Sequence, residues 1–176
     1  AWCRPSPASK RPSGLASAAN LLEAYRLAFA CDPVSAFGSI IAVNREVDRT
    51  LVEEIGSLFV EVLAAPAYTP DALAWLTEHK KNCRVMLART GSPTLVLRSV
   101  AGGLLAQTPD DRGVDEAAWQ VVTRRQPTEA ERRSLAFAWL AAKHIKSNAI
   151  VFVQGTATVG VGAGQMNRVD SVYLAA

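Results

Sequence analysis

The stretch KSNAIVFVQGTATVGVGAGQMNRVDS, Lys146 to Ser171, decides how the rest of the chain is read. The run Ala149–Val153 is apolar and rich in β-branched residues, Gln154–Thr156 supplies a tight glycine turn, and Ala157–Val161 returns, so the spacing predicts a β-hairpin. Gly160, Gly162 and Gly164 then follow at alternate positions. Backbone without Cβ either lets a ligand approach exposed N–H groups or lets a neighbouring helix or strand pack closely. The glycines alone favour packing, and they match neither phosphate signature, because no Lys-Ser/Thr follows and the spacing is not that of a dinucleotide site. Their company argues for a ligand. Ser147 and Asn148 stand at the entrance to the hairpin, and Gln165 and Arg168 at its exit. An arginine just after a glycine turn suits a phosphate or carboxylate.

Working outward, TEAERRSLAFAWLAAKHIK opens with the capping box Thr128 to Glu131 and sets Leu135, Ala138, Trp139, Ala142 and Ile145 on one helical face. Lys143 and His144 near its end are read as structural cations favoured by the helix dipole rather than as a catalytic pair. Further upstream, Asn20 with Glu23 starts a helix, Arg49–Gly56 is a second, and Thr69 with Pro70 starts a third. Ser39–Val43 reads as a short buried strand. Phe59–Pro66 reads as a strand carrying one acid, Glu61, which is costly to bury unpaired unless the strand lies at an edge. CRVMLA, TLVLRSV, GGLLAQ and WQVVT are further short β-type runs. Residues 1–19, with three prolines and four serines, are expected to be an irregular or corrupted start, and organised structure is expected over residues 20–176. Helices alternating with short strands imply an α/β fold, a layered mixed sheet with flanking helices and the Ala149–Val153 strand at its centre.

At 176 residues and 49% hydrophobic, the chain is long and apolar enough for one substantial core. A net charge of +3, with basic residues scattered among acids, offers no footprint for nucleic acid. Cys3, Cys31 and Cys83 are odd in number and widely spaced, which argues against a disulfide framework and for a cytoplasmic location. No apolar run reaches the roughly 20 residues of a membrane helix, so no membrane partner is expected.

Four blocks now carry a resemblance: LLEAYRLAFACDPVSAFGSIIAVNREVD, FVEVLAAPAYTPDALAWL, GGLLAQTPDD and KSNAIVFVQGTATVGVGAGQMNRVDSV. In this order and spacing the chain resembles the formyltransferase part of the enzymes that join AICAR formyltransferase to IMP cyclohydrolase. The resemblance runs from about Leu21 to Ala176 and corresponds to a middle portion of such enzymes. It implies a cytidine-deaminase-like fold and a homodimer in the full-length protein. The implied substrate is AICAR, with 10-formyltetrahydrofolate as co-substrate and no metal; the His-x-Glu and Pro-Cys-x-x-Cys that zinc deaminases need do not occur here.

Carried over residue by residue, the resemblance makes Asn148 the catalytic asparagine, which orients the reacting groups. Arg168 touches AICAR, Gly38 lies against the nucleotide within the turn Ser35 to Gly38, and Phe37 belongs to the same turn. Glu61 takes the ribose side, Gln165 joins the substrate set, and Val169 neighbours the folate. The family's Lys-His pair falls at Ala8 and Ser9, so either this start is corrupted or truncated or the general base has been lost. A loss of roughly 10² to 10⁴ in rate follows from that alone. Three readings remain open: a formyltransferase fragment, a non-catalytic nucleotide-binding remnant, and a structural α/β piece. The Ala8 and Ser9 positions favour the second over an active enzyme, and Asn148, Gln165 and Arg168 count against the third.

Overall fold

Each principal helix begins where a short polar side chain caps it. Asn20 Oδ1 accepts the Glu23 N–H at the start of α1, Leu21–Cys31. Asp48 does the same for Leu51 ahead of α2, Arg49–Ile55. Thr69 caps α3, Pro70–His79, with proline at its first position, where the missing N–H costs nothing. The full capping box of Thr128 and Glu131 opens α4, Glu129–Lys143, and Asn167 caps α5, Arg168–Ala175. The computed structural model describes residues 12–88, 91 and 94–176. Ala8 and Ser9 therefore lie outside the described residues.

The architecture is α/β, with five α-helices and three small sheets among the described residues. Strands β1 (Ser39–Ala42), β2 (Val60–Ala65) and β3 (Arg84–Leu87) form a parallel sheet in that order, with α2 and α3 as the crossovers that parallel pairing requires. Ile41 and Leu63 from the strands join Tyr25, Leu51, Val52, Trp75 and Leu76 from the helices in one apolar core. Tyr68 ties the far end together, its hydroxyl lying 2.6 Å from the Leu63 carbonyl and 3.1 Å from that of Met86. Burial pushes its phenol up to about 12.

Strands β4 (Val96–Val100) and β5 (Gly103–Gln107) make one antiparallel hairpin. Strands β6 (Ile150–Gln154) and β7 (Ala157–Gly162) make another, as the opening stretch predicts. The single layered sheet does not form, and β6 is not its centre. The inner strand of this second unit is β7, because residues 15–17 run antiparallel along its free side. Thr158 N–H donates to the Leu15 carbonyl at 2.9 Å and Ser17 N–H to the Thr156 carbonyl at 2.8 Å. Residues 12–19 form no helix or named strand, yet Leu15 and Ala16 are buried by this pairing.

Helices α1 and α5 both pack against β7. That packing explains the glycine ladder. A Cβ at Gly160 would lie 1.8 Å from the Ala175 carbonyl oxygen, and one at Gly162 would lie 1.8 Å from that of Ser171. Backbone does approach these glycines, but it is the backbone of α5. Gly164 serves differently: its φ of +69° is open to glycine and strained for other residues.

One expectation fails, and α4 shows the same cause. Trp119–Thr123 forms no strand, having no ladder to join, and α4 turns much of its apolar face outward: Leu135 is 50% and Trp139 66% exposed. Only Ala141 on the helix, with Ile145 just beyond it, is buried. Local pattern gives a residue its preference, and a partner surface must then satisfy it.

Candidate functional site

The loop ahead of β6 is sewn to the segment that follows β7. Gly164 N–H donates to the Lys146 carbonyl at 2.8 Å, and Asn148 N–H to the Gln165 carbonyl at 3.3 Å. From the other side, Ser171 Oγ on α5 donates to the Asn148 carbonyl at 2.9 Å. The Asn148 side chain is held as firmly. Its Nδ2 donates to the carbonyls of Gln165, at 3.0 Å, and Met166, at 3.1 Å. Carbonyls only accept, so the amide nitrogen must be the atom that faces them. Both donor hydrogens are spent, and Oδ1 is left as a fixed acceptor with no hydrogen bond from the described residues. The amide therefore offers an acceptor and no free donor.

Gln165 lines a cleft of about 540 Å³ whose lining also includes Asp32 and Ser35. Two of the residues singled out in the sequence, Ser35 and Gln165, therefore border one cleft, and the Asn148 side chain is bonded to the Gln165 carbonyl. The sequence missed Asp32, whose Oδ1 accepts the Ser35 N–H at 2.9 Å and so shapes the turn. An Asp-Pro pair right after a helix signals that turn chemistry. Ser171 was missed too, and nothing in the sequence marks it. Cys31 also borders the cleft, but burial pushes its thiol up, which keeps it neutral and poorly nucleophilic.

The remaining residues stand apart from the cleft walls. Phe37 is 70% exposed, its ring centre 5.3 Å from that of Phe59. Gly38, at φ +73°, donates its N–H to the Phe59 carbonyl at 2.9 Å. Glu61 is exposed, so the burial cost feared for it does not arise. It is the extra residue of a bulge, since β1 pairs Ser39 with Val60 and the next residue, Ile40, with Val62. Bulges re-aim side chains at strand ends. Arg168 and Val169 open α5 and are both exposed. Lys143 is engaged with Asp110, at 3.0 Å, and with the Arg112 carbonyl, at 2.9 Å, in keeping with a structural role.

Among the described residues no group of three or more His, Cys, Asp or Glu side chains is arranged to hold a metal ion. No described helix is long and apolar enough to cross a membrane.

Comparison with known proteins gives this geometry its context. Residues 9–176 match the family model for the AICARFT/IMPCHase bienzyme. The bifunctional purine biosynthesis protein PurH of Chelativorans sp. (strain BNC1) is 52% identical over 169 residues, covering 94% of this chain and 31% of that protein. The PurH of Neisseria gonorrhoeae (strain NCCP11945) is 51% identical, with 94% and 32% covered, and that of Enterococcus faecalis (strain ATCC 700802 / V583) is 48% identical, with 93% and 32% covered. The chain spans about a third of the length of these curated relatives. It belongs to the AICARFT/IMPCHase bienzyme family, whose curated members serve purine biosynthesis.

Proposed function

We propose that the chain carries the substrate-positioning part of an AICAR formyltransferase site. The amine of AICAR attacks the formyl carbon of 10-formyltetrahydrofolate, forming the new C–N bond and an oxyanion. The oxyanion collapses, the bond from that carbon to the folate nitrogen breaks, and the proton lost by the amine ends on that nitrogen. Formyl-AICAR and tetrahydrofolate leave. The amine is a weak nucleophile, its lone pair delocalised into a ring bearing a carboxamide, so orientation matters.

The observation that carries this reading is the Asn148 amide, locked by the Gln165 and Met166 carbonyls with Oδ1 presented as an acceptor. An amine N–H donated to that oxygen leaves the nitrogen lone pair to face the formyl carbon. Arg168 supplies a cation for the nucleotide, Ser35, Phe37 and Gly38 form its backing turn, Gln165 its far edge, Glu61 the ribose side, and Val169 the folate side. Proton removal has no Lys-His pair at Ala8 and Ser9, so this chain orients substrate without the family's base. For the whole protein we propose a cytidine-deaminase-like fold, a homodimer and a cytoplasmic location.

Calorimetric titration of AICAR into the chain and its Arg168→Ala variant tests the reading. Loss of a charge-assisted contact is expected to weaken binding by about 1.5 to 3 kcal/mol. Equal affinity in the two, or no binding to either, refutes it.

A further inference from the structure

Ser39, the first residue of β1, is 5% exposed, and its Oγ is the only buried side-chain N or O atom among the described residues without a hydrogen-bond partner. A buried hydroxyl left in that state is disfavoured, and each such group in a folded protein calls for an explanation. The structure supplies one beside it. Ser39 borders a cavity of about 10 Å³ whose wall also carries Asp32, Ser13 and the apolar side chains of Phe29, Ile41 and Leu58. That volume is about one probe sphere, the lower bound for holding a single water, and a water needs two to four polar partners. Ser39, Asp32 and Ser13 are the polar residues of that lining.

We infer that this cavity is a binding site for one internal water, held between Ser39 Oγ and the Asp32 carboxylate. The placement gives the water a task. Asp32 Oδ1 already holds the Ser35 N–H, and Gly38, which precedes Ser39, is tied to Phe59. The turn Ser35 to Gly38 is thus fixed by the Asp32 side chain at one end and a backbone bond at the other, and the water adds a third tie, linking the end of α1 to the buried face of β1. Ser39 is a positioning residue for that turn. Its bearing on nucleotide binding rests on the functional reading above, whereas the water itself does not.

A crystal structure of the chain at a resolution that orders solvent tests the site directly. A density peak within hydrogen-bonding distance of both Ser39 Oγ and the Asp32 carboxylate is expected. A dry cavity, or Ser39 Oγ turned onto a backbone carbonyl, overturns the inference. Oxygen-17 relaxation dispersion gives a second readout, with one long-lived water fewer in Ser39→Ala than in the parent; an unchanged count contradicts the site. In the same variant, hydrogen exchange at Ser35–Gly38 is expected to quicken at least tenfold while the β1–β2 amides keep their protection. Unchanged exchange at the turn, or uniform loss across the sheet, removes the positioning role, and neither result touches the AICAR titration that tests the functional reading.

Discussion

Replacing Gly162 by alanine adds one methyl group where the structure has no space for it. The new Cβ would sit 1.8 Å from the Ser171 carbonyl oxygen, 2.7 Å from its carbon and 2.9 Å from its Cα. All three are backbone atoms, so no rotamer change relieves the overlap. Reaching an ordinary contact of 3.4 Å requires α5 to recede by about 1.6 Å. That retreat stretches the 2.9 Å bond from Ser171 Oγ to the Asn148 carbonyl beyond use. Overpacking of this kind costs typically 1 to 3 kcal/mol, and the lost hydrogen bond adds about 1. A loss of about 3 kcal/mol is therefore expected, read as a fall in the urea midpoint at constant slope. Gly103→Ala, where nothing lies within 4 Å, is the matched control and should stay within about 0.5 kcal/mol. Should Gly162→Ala prove as mild as the control, the glycines are not there to seat α5, and the ligand-facing explanation regains its place.

Thr158→Val removes the hydroxyl that both accepts from the Leu15 N–H, at 2.9 Å, and donates to the Leu15 carbonyl, at 3.2 Å. Leaving that buried N–H without its partner should cost about 2 kcal/mol in urea unfolding, and a neutral outcome would show that the Leu15–Ser17 pairing is dispensable. Acid should loosen the start of α4. Arg125 first, then the Thr128 N–H and hydroxyl, hold the Glu131 carboxyl down to about 2 from its ordinary 4.5. Because the folded value is the lower one, the stabilisation is complete above 4.5 and is lost as pH falls towards 2. Helical circular dichroism should fade over that window in the parent and lose this component in Glu131→Gln; parallel acid profiles would contradict the assignment.

What the sequence made legible was local. Capping at Asn20, Thr69 and Thr128 depends on residues three apart, and each of these caps is present. The β6–β7 hairpin depends on one turn, and it too is present. Contacts between distant segments were not legible. Leu15 meeting Thr158 joins segments 143 residues apart, and no feature of either announces the other. The glycine ladder shows the limit most plainly, because alternation reveals that something approaches closely without saying what. Of the candidate site, the residue types of the Asn148 loop could be read, but the spending of its amide hydrogens on Gln165 and Met166 could not, since carbonyl directions follow from the folded turn. Asp32 was within reach as a turn former, and Ser171 was not.

The central claim, that Asn148 and its neighbours form a surface that positions AICAR, is tested most directly by mapping the backbone amide resonances of the chain during an AICAR titration. The account predicts saturable shifts centred on Ser35–Gly38, Asn148, Gln165 and Arg168, with small ones at β4–β5. Absence of saturable shifts, or their concentration along α4 and the Trp119–Thr123 segment, would contradict it.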